Sequence, residues 1–435
     1  PSYKPSGVEW LGDVPEHWNL KKFFYLFDEN KKKNIGLQET NVLSLSYGNI
    51  KEKNIDDNKG LLPESFETYQ IIKPNDIVFR FTDLQNDKRS LRSAISKYHG
   101  IITSAYIAVK TKQNADFYNY LFRAYDLQKV FYSMGEGMRQ SLKMDELNKM
   151  PVVLPSEDEQ KRIVSFLDTE TTRIDKLISK QEKLIELLEE QRKSIISHAV
   201  TKGLNPNALM KDSGVEWLGR VPCDWQYYSI KRTIKVLTDY TANGSFADLA
   251  KNVNYLDYGF SRLVRLTDLR EDLNNNGVYI TEDAHKYLKK SELFGGELLL
   301  ANVGAYAGFA CLMPYKKIKA TLAPNMFLLR FKEQRINNKF MYYLINSKTI
   351  QYQFQVSMTS TAQPKLNKDN VKNIVMFLPT LQIQNEIVEY LDSENLILDN
   401  LIFKQQALIE KLKEYRASII SHAVTGKIDV REHMA

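Results

Sequence analysis

The residues best placed to do chemistry in this 435-residue chain are those that could read a surface through hydrogen bonds. Arg139-Gln140 follows Gly135 and Gly137, and a flexible backbone carrying two multi-donor side chains suits the reading of base edges. Arg80, Arg89 and Arg92 surround a predicted strand end and the polar run Thr82-Asp83-Leu84-Gln85-Asn86. Arg265 and Thr267, with Asn302 and Tyr306, are their nearest counterparts later in the chain. Gln363 and Lys365 close the polar stretch Thr359-Ser360-Thr361-Ala362-Gln363-Pro364-Lys365, and Tyr47 and Asn49 flank Gly48 at another strand end. Lys31-Lys32-Lys33 suits phosphate rather than base contacts. For each of these the alternative is an ordinary surface charge or turn.

Bond-making chemistry has no comparable support. Gly135-Glu136-Gly137 lacks the third glycine and the preceding strand of a nucleotide loop, and no Gly-x4-Gly-Lys phosphate loop occurs. Asn205-Pro206-Asn207 is not the tetrad that adenine methylation would need. Glu159-Gln160-Lys161 resembles a nuclease carboxylate–lysine site, but it lies at a predicted helix N-terminus, where the dipole favours acids. The six histidines show no metal-ligand spacing, and His198 and His422 are twin helix-end residues. Cys223 and Cys311 alone fit neither a disulfide framework nor a four-cysteine zinc site, which points to a reducing cytoplasm. No apolar run approaches the roughly 20 residues of a membrane span, and no basic-plus-apolar leader precedes the first motif. A reader without catalytic, metal or cofactor residues of its own is expected.

Charge agrees with that reading. The net charge is +7, yet residues 157–201 carry −2 and residues 381–425 carry −3, which leaves +12 on the remainder. Positive charge on those segments suits a polyanion.

The elements that must position these residues occur twice. Ser6-Gly7-Val8-Glu9-Trp10-Leu11-Gly12, then Val14-Pro15 and Trp18, returns as Ser213-Gly214-Val215-Glu216-Trp217-Leu218-Gly219, then Val221-Pro222 and Trp225. Ser194-Ile195-Ile196-Ser197-His198-Ala199-Val200-Thr201 returns as Ser418-Ile419-Ile420-Ser421-His422-Ala423-Val424-Thr425. The offset is 207 for the first motif and 224 for the second, so the second insert is 17 residues longer. The four tryptophans read as core anchors.

Each copy ends in a helix free of internal Gly and Pro. The first opens on a capping box, Ser156 with Glu159, and the second on Thr380. A heptad frame predicts a seam at Ile163, Leu167, Ile174, Leu177, Gln181, Leu184 and Leu188, matched by Ile387, Leu391, Leu398, Leu401, Gln405, Leu408 and Leu412. Both helices run to roughly 60 Å at about 1.5 Å per residue. A pseudo-twofold relation makes the pair antiparallel, with one insert at each end. The inserts mix strands, at 40–46, 76–81, 101–109, 262–266, 297–301 and 326–331, with helices at 116–132 and 338–355. The expected fold is α+β: two similar mixed α/β recognition domains joined by two long antiparallel coiled-coil helices. Domain bounds are placed at 1–153, 154–203, 204–377 and 378–430.

Taken together, these pieces resemble the specificity subunit of type I restriction–modification systems. The resemblance rests on the paired Gly-Val-Glu-Trp-Leu-Gly-x-Val-Pro motifs at 7–15 and 214–222 and on Leu154-Pro155 and Leu378-Pro379. It rests equally on Gln160 and Gln384, Ile163-Val164 and Ile387-Val388, and Leu167-Asp168 and Leu391-Asp392. It implies two target-recognition domains, each reading one half of a split double-stranded DNA sequence. It also implies a complex with two methylation subunits and, for cleavage, restriction subunits. Those partners would carry the S-adenosylmethionine, ATP and Mg2+ of an adenine-N6 methyltransferase and endonuclease. Unlike inserts predict two different half-sites rather than a palindrome, with the helices setting the gap. The competing reading is a tandem protein-binding scaffold with a coiled-coil spacer.

Overall fold

The computed structural model describes residues 2–54, 65–82, 84, 91–134, 141–358 and 363–433. The chain divides into two compact units, Pro1–Lys183 with Gln405–Ala435, and Leu184–Lys404. The division falls inside both long helices, Glu157–Lys202 and Leu381–Val424.

Unit one is built on a four-stranded antiparallel sheet in the order Phe27–Glu29, Ile107–Thr111, Ile77–Phe79, Ser93–Ile95. The helix Ala115–Leu127 begins where the Asn114 side chain accepts the backbone N–H of Phe117. Its aromatic face buries Phe117, Tyr118 and Phe122. Phe122 lies 5.1 Å from Phe79 and 5.7 Å from Phe23 between ring centroids, so rings form the centre of this core. The predicted helix 116–132 is interrupted by Lys129, whose φ of 62° ends one helix before Val130–Met134 begins.

Unit two repeats the sheet order with Ile234–Asp239, Met326–Phe331, Leu298–Ala301 and Ala310–Leu312. Its helix 338–355 is likewise split, into Asn338–Ile345 and Lys348–Ser357. Unit two also has a mixed sheet, Val278–Ile280, Ser261–Val264, Ala320–Leu322 and Glu292–Leu293, with one parallel pair. In unit one the smaller pieces are the pair Gln70–Ile72 with Gly100–Ile102 and the hairpin Leu43–Ser46 with Asn49–Glu52. The predicted strand at 101–109 is therefore two strands with a turn between them, and that at 262–266 ends at Val264, ahead of a helical turn at Leu266–Arg270.

In each unit the start of the insert pairs with its end, just ahead of the long helix. Asn19–Lys22 runs antiparallel to Pro151–Leu154, and Gln226–Ser229 to Val375–Leu378. Trp18 and Trp225 are buried as expected of core anchors, whereas Trp10 is half-buried and Trp217 is exposed.

The helices run in opposite directions within each unit. In unit one, Arg416 grips Asp175 at 2.8 and 3.2 Å, and Ile163 shares a small cavity with Gly426 and Ile428. In unit two, Arg192 meets Asp399 at 2.5 Å, while Val200 packs in one core with Ile387 and Leu391. The buried stripe departs from the heptad frame. Leu177, Leu184, Leu401 and Leu408 are all more than a third exposed. Gln181, Gln405 and Leu412 are half-buried, and Leu188 closes a small cluster with Leu398 and Ile402. Ile163, Leu167 and Ile174, like Ile387 and Leu391, are buried against their own inserts. The stripe follows Ile163, Ile174, Ile185 and Ile196, and then Ile387, Leu398, Ile409 and Ile420, with a spacing of eleven. An eleven-residue spacing corresponds to about 3.67 residues per turn against 3.5 for a heptad, so on a helix of 3.6 this stripe drifts about 20° per repeat in the sense opposite to a heptad seam.

Candidate nucleic-acid interface

In unit one the hairpin Leu43–Ser46 with Asn49–Glu52 closes through Tyr47 and Gly48, with φ of 46° and 72°. Two positive values make the tight turn whose twist matches the strands, and they leave the Tyr47 ring exposed at its tip. Arg123 fixes that tip from below, donating to the Gly48 carbonyl at 2.7 Å and to the Ser93 carbonyl at 3.3 Å. A Cβ on Gly48 would displace the Arg123 guanidinium from the tip, and the positive φ itself favours glycine there. Asn49 is exposed and donates to the Tyr47 carbonyl at 3.3 Å. Lys31, Lys32 and Lys33 are exposed, with Lys31 paired to Glu29 at 3.1 Å.

Arg80 is half-buried, its backbone N–H donating to the Arg92 carbonyl. Arg92 corrects the sequence reading, since it is 0% exposed. Its guanidinium donates to the Thr82 carbonyl at 3.1 Å and to the Tyr132 hydroxyl at 3.3 Å, and its backbone N–H donates to the Asp126 carboxylate. Arg92 thus holds the fold together and presents nothing to a ligand. Burial raises the Asp126 carboxyl above its ordinary value, opposed by the Arg92 backbone N–H and by the charges of Arg123, Lys129 and Arg92. Arg89, Arg139 and Gln140 lie outside the described residues.

Unit two brings together residues that sequence reading had placed separately. The segment following Leu298–Ala301 is pinned on both sides. Asn302 donates its N–H to the Asn325 carbonyl at 3.1 Å and accepts that of Leu366 at 2.9 Å, while Gly304 donates to Pro364. Val303 and Lys365 form a strand-like bridge. Asn302 and Lys365 consequently line one cleft of about 370 Å³ with Asp239, Phe246, Asn325 and Lys368. Lys365, Gln363 and Tyr306 are all exposed. Lys368 is tied to Asp239 at 3.1 Å, and the Phe246 ring is largely exposed at the rim.

Arg265 is a second correction. Its guanidinium reaches Asp268 at 3.1 and 2.8 Å, closing a capping box on the short helix that carries exposed Thr267. Burial would raise the Asp268 carboxyl, but hydrogen bonds from Arg265 and Asn275 hold it below its ordinary value. The arginine that sequence reading missed is Arg270, whose guanidinium lies over the Tyr306 ring at 4.0 Å from its centroid. Phe246 and Lys368 were missed as well. Their types carry no signal until the loops fold onto one another.

Among the described residues there is no group of three or more His, Cys, Asp or Glu that could hold a metal ion, and no helix is long and apolar enough to cross a membrane. What the geometry offers is donors, acceptors and rings on loops held by rigid strands.

The family model of the type I restriction modification DNA specificity domain matches residues 94–187 and 224–413. The chain is 26% identical over 341 residues to the type I restriction enzyme MjaVIII specificity subunit of Methanocaldococcus jannaschii, covering 76% of this chain and 75% of that one. It is 21% identical over 445 residues to the putative MjaX specificity subunit of the same organism, covering 97% and 96%. Its fold matches a solved chain from a study of complex assembly and conformational transition of the type I R-M system. That match has a TM-score of 0.69 and 14% identity and covers 95% of this chain and 99% of that one. The HsdS subunit from Thermoanaerobacter tengcongensis aligns with a TM-score of 0.52 and 13% identity, covering 95% and 98%. With its twice-built frame and twice-matched domain, the chain belongs to the type I restriction–modification DNA specificity family.

Proposed function

We propose that the two units each read one part of an asymmetric, bipartite double-stranded DNA site, that the helices set the gap between the parts, and that this chain performs no catalysis itself. The observation that carries the reading is one frame with two unlike loop sets. The same four-stranded order recurs in both units, but Tyr47 and Asn49 sit on a separate hairpin in unit one, whereas Asn302 and Tyr306 follow a strand of that sheet in unit two and Lys365 bridges to it through Val303. The charge of +12 outside the helical segments supports a polyanionic ligand. The recognition domains are assigned to 1–153 and 204–377 and the helical regions to 154–203 and 378–430.

The helices, of 46 and 44 residues, extend about 66–69 Å at 1.5 Å per residue. Exposed Leu177 and Leu408 in unit one, and Leu184, Leu401 and Phe403 in unit two, support a seat on each unit for one of two methylation subunits. S-adenosylmethionine, ATP and Mg2+ belong to methylation and restriction subunits in this reading, and the cytoplasm is where they would meet DNA.

Co-expression with the methylation subunits in a methylation-free host, followed by mapping of N6-methyladenine, tests this. Two unlike half-sites at a fixed gap are expected; a palindrome or scattered methylation would overturn it. Adding one helical turn within 176–190 and in the facing part of the second helix lengthens the gap. A protein-binding scaffold would instead show no steep salt dependence in DNA binding by the assembled complex.

A further inference from the structure

Four arginines of unit two differ in what holds them. Arg262 lies 3.6 Å from the Asp268 carboxylate and Arg265 2.8 Å from it, and Arg330 lies 3.2 Å from Glu297. Both carboxylates are buried, so these three cations are needed for folding. Arg270 is exposed, and among the described residues no carboxylate or carbonyl engages its donors. Its guanidinium rests instead over the Tyr306 ring at 4.0 Å, and that ring is itself 52% exposed.

Both ends of this stack are fixed. The short helix Leu266–Arg270 is capped by the Arg265–Asp268 pair, with Asp268 fully buried. Tyr306 lies in the connection between Leu298–Ala301 and Ala310–Leu312, which is closed by the pair of backbone bonds from Ala301 to the Phe309 carbonyl and from Gly308 to the Ala301 carbonyl. A free arginine loses much rotamer freedom on binding, and an aromatic face removes part of that freedom beforehand. The result is a planar, five-donor fork with restricted aim and unfilled donors.

We propose that Arg270, oriented by Tyr306, is a specificity-determining residue of unit two that reads the paired acceptors of a guanine edge in the major groove. The assignment rests on the DNA-reading role proposed above. Guanidinium geometry matches the O6 and N7 acceptors of guanine bidentately, the commonest specific arginine contact. A phosphate would offer the same acceptor chemistry, but a phosphate contact needs charge rather than aim. Exposed Lys365, on the segment bridged to Val303, already supplies that charge.

The test uses the full chain assembled with its methylation subunits and a DNA library randomised through both half-sites. Wild type should select a guanine–cytosine pair at one position of the half-site read by unit two. Arg270→Lys keeps the charge and removes the fork. It should reduce selection at that one position roughly ten- to hundred-fold while leaving the other positions and the salt slope unchanged. Tyr306→Phe should retain the selection and Tyr306→Leu should weaken it at the same position. Unchanged selection in Arg270→Lys overturns the proposal, as does uniform weakening of all sequences with a salt slope lowered by about one, the signature of a phosphate contact. A change confined to the other half-site overturns this assignment alone. Absence of any sequence selection by wild type overturns the DNA-reading role along with it.

Discussion

Gln384 accepts the backbone N–H of Asn337 at 3.0 Å through its carboxamide oxygen, and donates to the carbonyls of Arg335 and Pro379 at 3.1 and 3.0 Å. Gln160 does the same in unit one, accepting from Asn114 at 3.1 Å and donating to Pro155 at 3.0 Å and to the Gln113 side chain at 3.2 Å. Asn114 and Asn337 cap the matching helices Ala115–Leu127 and Asn338–Ile345, so one buried amide fastens each insert to the start of a long helix. Both glutamines lie three residues ahead of Ile163 and Ile387, on the adjoining position of the heptad frame, where a helix–helix contact is expected. They face the inserts instead and set how each reading surface is mounted. Asp168 and Asp392 add a second fastening, each accepting a tyrosine hydroxyl, Tyr120 and Tyr343, at 2.7 Å.

Removing such an amide leaves buried partners unpaired. Gln384→Leu strands the Asn337 N–H and two carbonyls, at about 1–3 kcal/mol for each group left unsatisfied. The variant should unfold at clearly lower urea, and Gln384→Glu should fare no better, because it keeps the acceptor but buries a charge beside two carbonyls. Denaturation midpoints equal to wild type would show that this fastening contributes nothing.

A proton-linked prediction follows from Tyr120. Burial, reinforced by the Asp168 carboxylate, pushes its hydroxyl up to about 12 from an ordinary 10.0. The folded state therefore holds this proton more tightly than the unfolded chain. Its contribution is complete below pH 10 and is lost as pH rises through 12. Tyr120→Phe should be less stable than wild type at pH 8 by about 1 kcal/mol, and its stability should fall less steeply between those pH values. Parallel urea midpoints for the two proteins across that range would contradict the linkage.

The repeated frame was legible in the chain because it is carried by local rules. Ser156 and Glu159 read as a capping box, and the Ser156 N–H does donate to the Glu159 carboxylate at 3.2 Å. Strand 326–331 was readable from its apolar run with Phe327 and Phe331. The reading surface was less legible, because an arginine's role depends on distant partners. Arg92 and Arg270 look alike in sequence, but Asp126 and Tyr132, 34 and 40 residues on, bury the first. Among the described residues no carboxylate or carbonyl engages the second, which rests over the exposed Tyr306 ring. The seam failed for a different reason: a heptad frame marks apolar positions without saying what they pack against, so Ile163 and Ile387 are buried against the inserts while Leu177 and Leu401 face solvent.

The two helix ends predict an asymmetry. Gly203 and Gly426 both end a long helix with φ of 79° and 75°. A Cβ at Gly203 would meet only Trp225 at 3.5 Å, whereas one at Gly426 would lie 2.4 Å from Pro15. Gly203→Ala should cost about 1 kcal/mol from backbone strain alone. Gly426→Ala should cost more, since Pro15 is rigid and must move. Equal melting temperatures for the two variants would mean that the C-terminal turn relaxes freely.

The leucines of the long helices separate folding from assembly. Leu398 is buried with Leu188 and Ile402, while Leu401, three residues on, is exposed. Leu398→Ala removes a packed side chain and should cost about 2–3 kcal/mol. Leu401→Ala removes one that faces solvent and should stay within about 1 kcal/mol. Equal costs would restore the heptad frame, in which both are seam residues. Leu401→Glu then probes the exposed stripe. It should fold as wild type does, because water already reaches the site, yet it should fail to co-purify with methylation subunits if the stripe is their seat. Normal folding together with normal assembly would place that seat elsewhere on the chain.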